Sequence, residues 1–145
     1  AAVLADDLVD RGEEGDDVLI INSASLASNI DGGEGNDRLM LDSGISSVDM
    51  DVSLLAVSDV EVLDLNGNSV INLDADNVSG MTDDHVLFID RENAGVETVS
   101  VETDVNWTLA TAATLPPDAS LEAGYTTYTA TDSNGDIAVV HIQNA

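Results

Sequence analysis

Two glycine- and acid-rich turns stand twenty residues apart, and each launches a short apolar run. Gly12-Glu13-Glu14-Gly15-Asp16-Asp17 precedes Val18-Leu19-Ile20-Ile21, and Gly32-Gly33-Glu34-Gly35-Asn36-Asp37 precedes Leu39-Met40-Leu41. Glycine costs backbone entropy and clustered acids repel, so such turns persist only where something offsets both. The equal step predicts that the two turns lie on one edge of neighbouring coils in a repeating β structure.

The rest of the chain supports a β reading. Short apolar runs recur at Val60-Glu61-Val62-Leu63-Asp64-Leu65, Val70-Ile71-Asn72-Leu73, Val86-Leu87-Phe88-Ile89 and Thr98-Val99-Ser100-Val101-Glu102. Val48-Asp49-Met50-Asp51-Val52 alternates strictly, giving one apolar and one acidic face. Gly, Asn, Asp and Ser separate these runs. Strand starts near 18, 38, 60 and 86 form one set, and starts near 25, 48, 69 and 98 form another. Two interleaved sets are the pattern of a coil that gives one strand to each of two sheets. Only Asn77 to Asp84 suits a short helical turn. Aromatics make up 3% of the chain, so its core is built from aliphatic residues.

The last forty residues differ. Trp107 to Ala110 reads as a strand, and Leu115-Pro116-Pro117-Asp118 interrupts it. Asn134-Gly135 lies between the strand-like runs Tyr125 to Ala130 and Ile137 to Ile142, a strong hairpin signal. The expected fold is therefore all-β. A two-sheet parallel β-roll or β-solenoid-like N-terminal part carries an antiparallel C-terminal hairpin cap over 107–142; an antiparallel β-sandwich is the alternative. Residues 1–145 read as one domain, and the start at Ala1-Ala2-Val3 reads as a fragment of something longer.

Charge narrows the function. Asp plus Glu number 29 and Lys plus Arg only 3, namely Arg11, Arg38 and Arg91, for a formal charge of −26. Such a chain repels nucleic-acid phosphates and anionic membranes, and it repels itself. Divalent cations relieve that repulsion, and Ca²⁺ favours oxygen ligands. No cysteine is present, which excludes disulfides, Cys-ligated zinc and thiol nucleophiles. No apolar run is long enough to span a membrane.

The second turn, with the strand it launches, fits the nine-residue calcium-binding pattern G-G-x-G-x-D-x-U-x at every fixed position; the first departs only at Glu13. Ca²⁺ is expected between them, held by the Asp17 and Asp37 carboxylates and by turn carbonyls. The candidate metal residues are Gly12, Glu14, Gly15 and Asp17 on one turn and Gly32, Glu34, Gly35 and Asp37 on the other. Leu19 and Leu39 anchor the following strands in the core, and Asp16 and Asn36 face solvent. Because Asn22 to Asn29 holds no glycine-rich turn, the row is short, one or two ions.

Other candidates carry less. Asp132-Ser133-Asn134-Gly135-Asp136 resembles the start of a calcium loop but lacks a downstream bidentate Glu, and reads as a hairpin turn. Asp74, Asp76, Asp83 and Asp84 read as solvated loop acids around the helical turn. His85 and His141 lie in no nucleophile or zinc motif and read as structural, so no enzyme is expected. Trp107, Tyr125 and Tyr128 suit core or cap packing better than a sugar-stacking surface.

The nonapeptides, followed by DRLMLD, VEVLDLNGNSVINLDADNV, HVLFIDRENAGVETVSV, the Trp-centred NWTL and YTTYTATDSNGDIAVVHI, resemble part of the C-terminal ligand-binding region of a bacterial repeats-in-toxin (RTX) adhesin. The resemblance runs from about Gly12 to Ile142. It implies an extracellular, cell-surface module exported by type I secretion and folding on Ca²⁺. Its partners would be the neighbouring domains of the same adhesin, which it positions for cell adhesion. No nucleic acid and no membrane insertion are expected, and the module is read as a monomer. The alternatives are a direct carbohydrate- or peptide-binding module and the RTX tail of a secreted hydrolase.

Overall fold

The computed structural model describes residues 2–5, 9–11, 15–21, 29–41, 47–49, 56–65, 70–82, 84–91, 98–102, 104–116 and 119–144. In chain order its elements are β1 (Ala2–Ala5), β2 (Val9–Arg11), β3 (Val18–Ile21), β4 (Asn29–Asp31), β5 (Arg38–Leu41), β6 (Ser47–Asp49), β7 (Ala56–Ser58), β8 (Val62–Asp64) and β9 (Val70–Asn72). There follow α1 (Ala75–Met81), β10 (Val86–Asp90), β11 (Thr98–Val99), a 3-10 turn (Ser100–Glu102), β12 (Thr108–Leu109), β13 (Tyr125–Thr131) and β14 (Ile137–Gln143).

The main sheet has eight strands in the order β1-β3-β5-β8-β10-β14-β13-β12. Its first six strands run parallel, and β13 and β12 close it antiparallel. Two smaller parallel sheets, β2-β4-β7 and β6-β9-β11, account for the other strands among the described residues. Period-two alternation drives the main sheet: β3 and β5 alternate half-buried and buried residues along their length. The register then stacks like side chains into a column, Leu19 beside Leu39 beside Leu63 beside Ile89 beside Ile142. All five are buried, and each aliphatic side chain so placed is worth about 1.5–3 kcal/mol of transfer free energy.

This architecture overturns the all-β, two-sheet β-roll or solenoid expectation, and the antiparallel sandwich with it. The fold is mixed α/β, a mostly parallel sheet with a helix packed on it, and not a closed solenoid. The reason lies in the step between paired strands. It is twenty residues from Val18 to Arg38, then twenty-four to Val62, twenty-six to Phe88 and fifty-three to His141. Each lengthened step carries an element that a two-strand coil has no room for. One adds β6 and β7, another α1, and the last a whole hairpin. That hairpin, β13–β14, turns at Asn134-Gly135 as its sequence suggests. It lies at the end of the parallel run, where β14 joins β10 in parallel and β13 and β12 follow antiparallel.

Helix α1 starts two residues before the expected Asn77, because Asp74 caps it. The Asp74 carboxylate accepts the Asn77 N–H at 2.8 Å while the Asn77 side chain accepts the Asp74 N–H at 2.8 Å, a reciprocal capping box. Ala75, Val78 and Met81 form its buried face, set against β14, β10 and β7. Among the described residues no helix is long and apolar enough to cross a membrane.

His141 on β14 is buried on the opposite face, its ring 4.6 Å from Phe88 and its Nδ1 2.7 Å from the Thr127 hydroxyl. Burial pushes its pKa below the usual histidine value, with the Glu122 charge opposing. The unfolded chain therefore takes up this proton first as the pH falls. The stability that neutral His141 contributes is complete above about pH 6.5 and is lost as the pH drops through its lowered folded value. Urea midpoints measured from pH 7.5 to 5 are expected to fall more steeply for the wild type than for His141→Asn; parallel profiles would refute this.

Candidate functional site

The two glycine turns stack on each other. The Gly15 N–H donates to the Glu34 carbonyl at 2.6 Å, and the Arg38 N–H donates to the Asp17 carbonyl at 2.9 Å. The exposed Asp16 carboxylate accepts the Asn36 N–H at 2.9 Å, so this solvent-facing pair also ties the turns together. Gly35 is required by the fit: its φ is +143°, and a Cβ there would overlap the Gly15 carbonyl. Gly35→Ala is expected to cost about 2 kcal/mol through strain at that φ and the separation of the turns. Urea unfolding checks this, and a loss under 0.5 kcal/mol would contradict the stacking argument.

Inside the stack lie two acids. Asp17 is 3% exposed and Asp37 fully buried. Asp37 Oδ1 accepts the Asp17 N–H at 2.8 Å. Asp37 Oδ2 is buried and has no hydrogen-bond partner among the described residues. It points at the Cα of Gly32: a Cβ on that residue would lie 2.7 Å from Oδ2 and would overlap the Asp59 carbonyl oxygen. Burial drives the Asp37 pKa above the usual carboxylate value. The Asp17 N–H bond opposes this, and the charges of Asp17, Asp16 and Asp31 add to it. The arrangement is a buried carboxylate oxygen that no hydrogen bond satisfies among the described residues, set near the Asp59 carbonyl oxygen. A hard divalent cation fits such a donor set.

Of the sequence-stated residues, Asp17, Asp37, Gly15, Gly35, Gly32 and the Glu34 carbonyl are thus brought together. The Glu34 residue is exposed. Gly12 and Glu14 lie outside the described residues. One member was missed. Glu61, just ahead of β8, takes the Asp37 N–H on its Oε2 at 2.7 Å, while Glu61 N–H and Val62 N–H both donate to the Asp37 carbonyl. Burial first, with the Asp37 and Asp84 charges adding, pushes its pKa up. The signal is an acid two places before a core leucine: Asp17-Val18-Leu19, Asp37-Arg38-Leu39, Glu61-Val62-Leu63. The glycine pattern, absent before Glu61, hid it.

A second group forms where the hairpin turn meets α1. His85, Asp132 and Asp136 bring possible ligand atoms within 4.8 Å of one another, so this group could hold a metal ion. It borders an open cleft of about 300 Å³ lined by Asp84, His85, Pro116, Gly135, Asp136 and Ile137. Asp132 also closes the turn. Its Oδ1 accepts the Asn134 and Asp136 N–H groups, and its Oδ2 accepts the Ser79 hydroxyl at 2.6 Å. These bonds, the Ser79 one foremost, hold its pKa below the usual range. Because Ser79 spends its proton on Asp132, the 2.8 Å contact to His85 Nδ1 is donated by the imidazole. That polarity is the reverse of an activated serine nucleophile. Asp76, read as a solvated acid, takes the Ser133 N–H and hydroxyl and so docks the turn on the helix.

The aromatic residues do not converge. Trp107 is buried in the core and Tyr128 packs against it, whereas Tyr125 stands edge-on to Phe88 and donates to Asp90 at 2.6 Å. Burial and the bond to Asp90 push the Tyr125 pKa up to about 12. Comparison with protein-family models, with curated proteins and with solved structures finds no match to this chain.

Proposed function

We propose that this chain is a calcium-binding, non-enzymatic structural module of a secreted bacterial surface adhesin, and that it positions neighbouring domains for adhesion. The observation that carries the calcium part is the buried Asp37 Oδ2, which has no hydrogen-bond partner among the described residues. Asp37 and Asp17 supply the charge and the stacked turns supply neutral oxygens. Bound Ca²⁺ neutralises the buried acids, and in this reading that is its whole chemistry. The adhesin assignment rests on the two nonapeptides and the −26 charge. Extracellular calcium modules bind at about 10⁻⁴–10⁻³ M, which keeps them empty during export and filled outside. Calorimetric titration of the chelator-treated protein is the test. Saturable binding in or below that range supports the reading, and no heat at 10 mM calcium ends it.

A second reading, direct ligand binding, is favoured by one feature. A polar cleft of about 360 Å³ is lined by Asp74, Asp76, Asp104, Asn106 and Trp107 near the start of α1. Hydroxyl-rich ligands suit such a lining. Binding to a glycan array that Asp104→Ala removes would favour it over a pure scaffold.

A further inference from the structure

The two glycine turns do not close the Asp37 recess by themselves. The third wall comes from residues 59–61, which carry no glycine motif and lead into β8. Asp59 has a left-handed backbone, φ +51°, uncommon for a non-glycine residue and enough to re-aim a carbonyl. Its carbonyl oxygen and Asp37 Oδ2 crowd the same point on Gly32. Gly32 is itself held to this segment, its N–H donating to the Ser58 carbonyl at 3.0 Å. Two residues on, Glu61 repeats toward Asp37 what Asp37 does toward Asp17: a carboxylate oxygen takes the neighbouring acid's N–H, at 2.7 Å and 2.8 Å.

We infer that the cation site at Asp37 spans three strands rather than two, with the lead-in to β8 contributing the Asp59 carbonyl and the Glu61 carboxylate. This rests on the reading of Asp37 as a calcium ligand. It also explains the acid-x-Leu spacing at Glu61 in a segment free of glycine. The strand that receives the ion from β5 is thereby tied into the site, so calcium binding reports on the docking of β8 as well as on the turns. A two-turn site would leave β8 indifferent to calcium.

The test is Glu61→Gln beside Asp37→Asn, with calcium affinity read by calorimetry and melting followed with and without chelator. Glutamine still accepts the Asp37 N–H, so the hydrogen bond survives and only the charge goes. Glu61→Gln is expected to weaken calcium binding at least tenfold, leave the chelated melting point unchanged or higher, and shrink the calcium-induced shift. If Glu61→Gln binds calcium as the wild type does while Asp37→Asn does not, the three-strand site is wrong and the two-turn site stands. If the wild type binds no calcium, the reading beneath it fails as well. An equal loss of melting temperature with and without calcium, at unchanged affinity, marks Glu61 as structural only and also overturns the inference. Should Glu61→Gln not fold, Glu61→Asp keeps the charge and withdraws it by one methylene. Its calcium affinity must then fall while that of Glu122→Gln, an exposed acid ahead of β13 and outside the site, stays near the wild type.

Discussion

Calcium at one hundred times its dissociation constant is expected to raise the melting temperature of the wild-type chain by about 5–10 °C, and Asp37→Asn to abolish that rise. Ligation of the folded state alone at that excess adds about 2.7 kcal/mol, and a domain near this size gains about 2–4 °C per kcal/mol. The variant discriminates because its two effects have opposite signs. In chelator, the charged Asp37 carboxylate is buried against three acids, so its removal is expected to leave the melting point unchanged or higher. In calcium, the same substitution removes the anionic oxygen that would bind the ion. A residue of merely structural importance would instead lower both melting points. Magnesium and sodium chloride at matched ionic strength separate ligation from screening of the −26 charge. The same acid governs the pH response without calcium. With its pKa raised, Asp37 binds a proton more readily folded than unfolded. Its contribution is full below the ordinary carboxylate pKa and is lost as the pH rises through its folded value. Acidification toward that range therefore offsets the loss from His141, and Asp37→Asn removes the offset.

The second large effect belongs to Arg91. Arg91→Met is expected to cost about 3 kcal/mol, against less than 1 kcal/mol for Arg38→Met. Arg91 is 8% exposed, and its guanidinium holds both Glu102 oxygens, at 2.6 and 3.2 Å, and the Gln143 carbonyl at 2.8 Å. Its own N–H reaches the Gln143 side chain. One side chain thus joins the end of β10, the 3-10 turn and the end of β14. Methionine fills the space but leaves Glu102 and the Gln143 carbonyl without those donors. Lysine keeps the charge and loses the fork, so Arg91→Lys should fall between. Arg38 also bridges two acids, Asp64 at 3.0 Å and Asp90 at 2.7 Å, but its side chain is 34% exposed and water competes for it. Equal losses for the two arginines in urea unfolding would contradict this ranking.

Much of the local structure was legible. Strand runs, the Asn134-Gly135 hairpin and the stacked turns were read from period-two alternation and turn chemistry, which are properties of a few adjacent residues. The second set of strand starts, near 48, 69 and 98, corresponds to β6, β9 and β11, which do form one sheet. The start near 25 lies outside the described residues. The strands pair into three sheets among the described residues, not two. The β2-β4-β7 sheet was not expected, because its strands are three residues each and carry too little alternation to read. The expected start at Asn77 is late because Asp74, the N-cap, reads by itself as a solvated loop acid. Glu61, and the joining of His85 to the Asp132–Asp136 turn, escape for another reason. Glu61 lies 24 residues from Asp37, and His85 lies 47 residues before Asp132.

Sequence alone thus settled the aliphatic β character, the acid excess, and the pair of turns whose twenty-residue step is the register between β3 and β5. Those follow from local preference and from spacing within one coil. The choice of β10 as the parallel partner of β14 across more than fifty residues followed from folding. So did the helix seated on the sheet and the burial of Asp37 beneath the Asp59 carbonyl. Long-range pairing is chosen by which buried columns and polar groups can be satisfied together. No window of adjacent residues contains that competition.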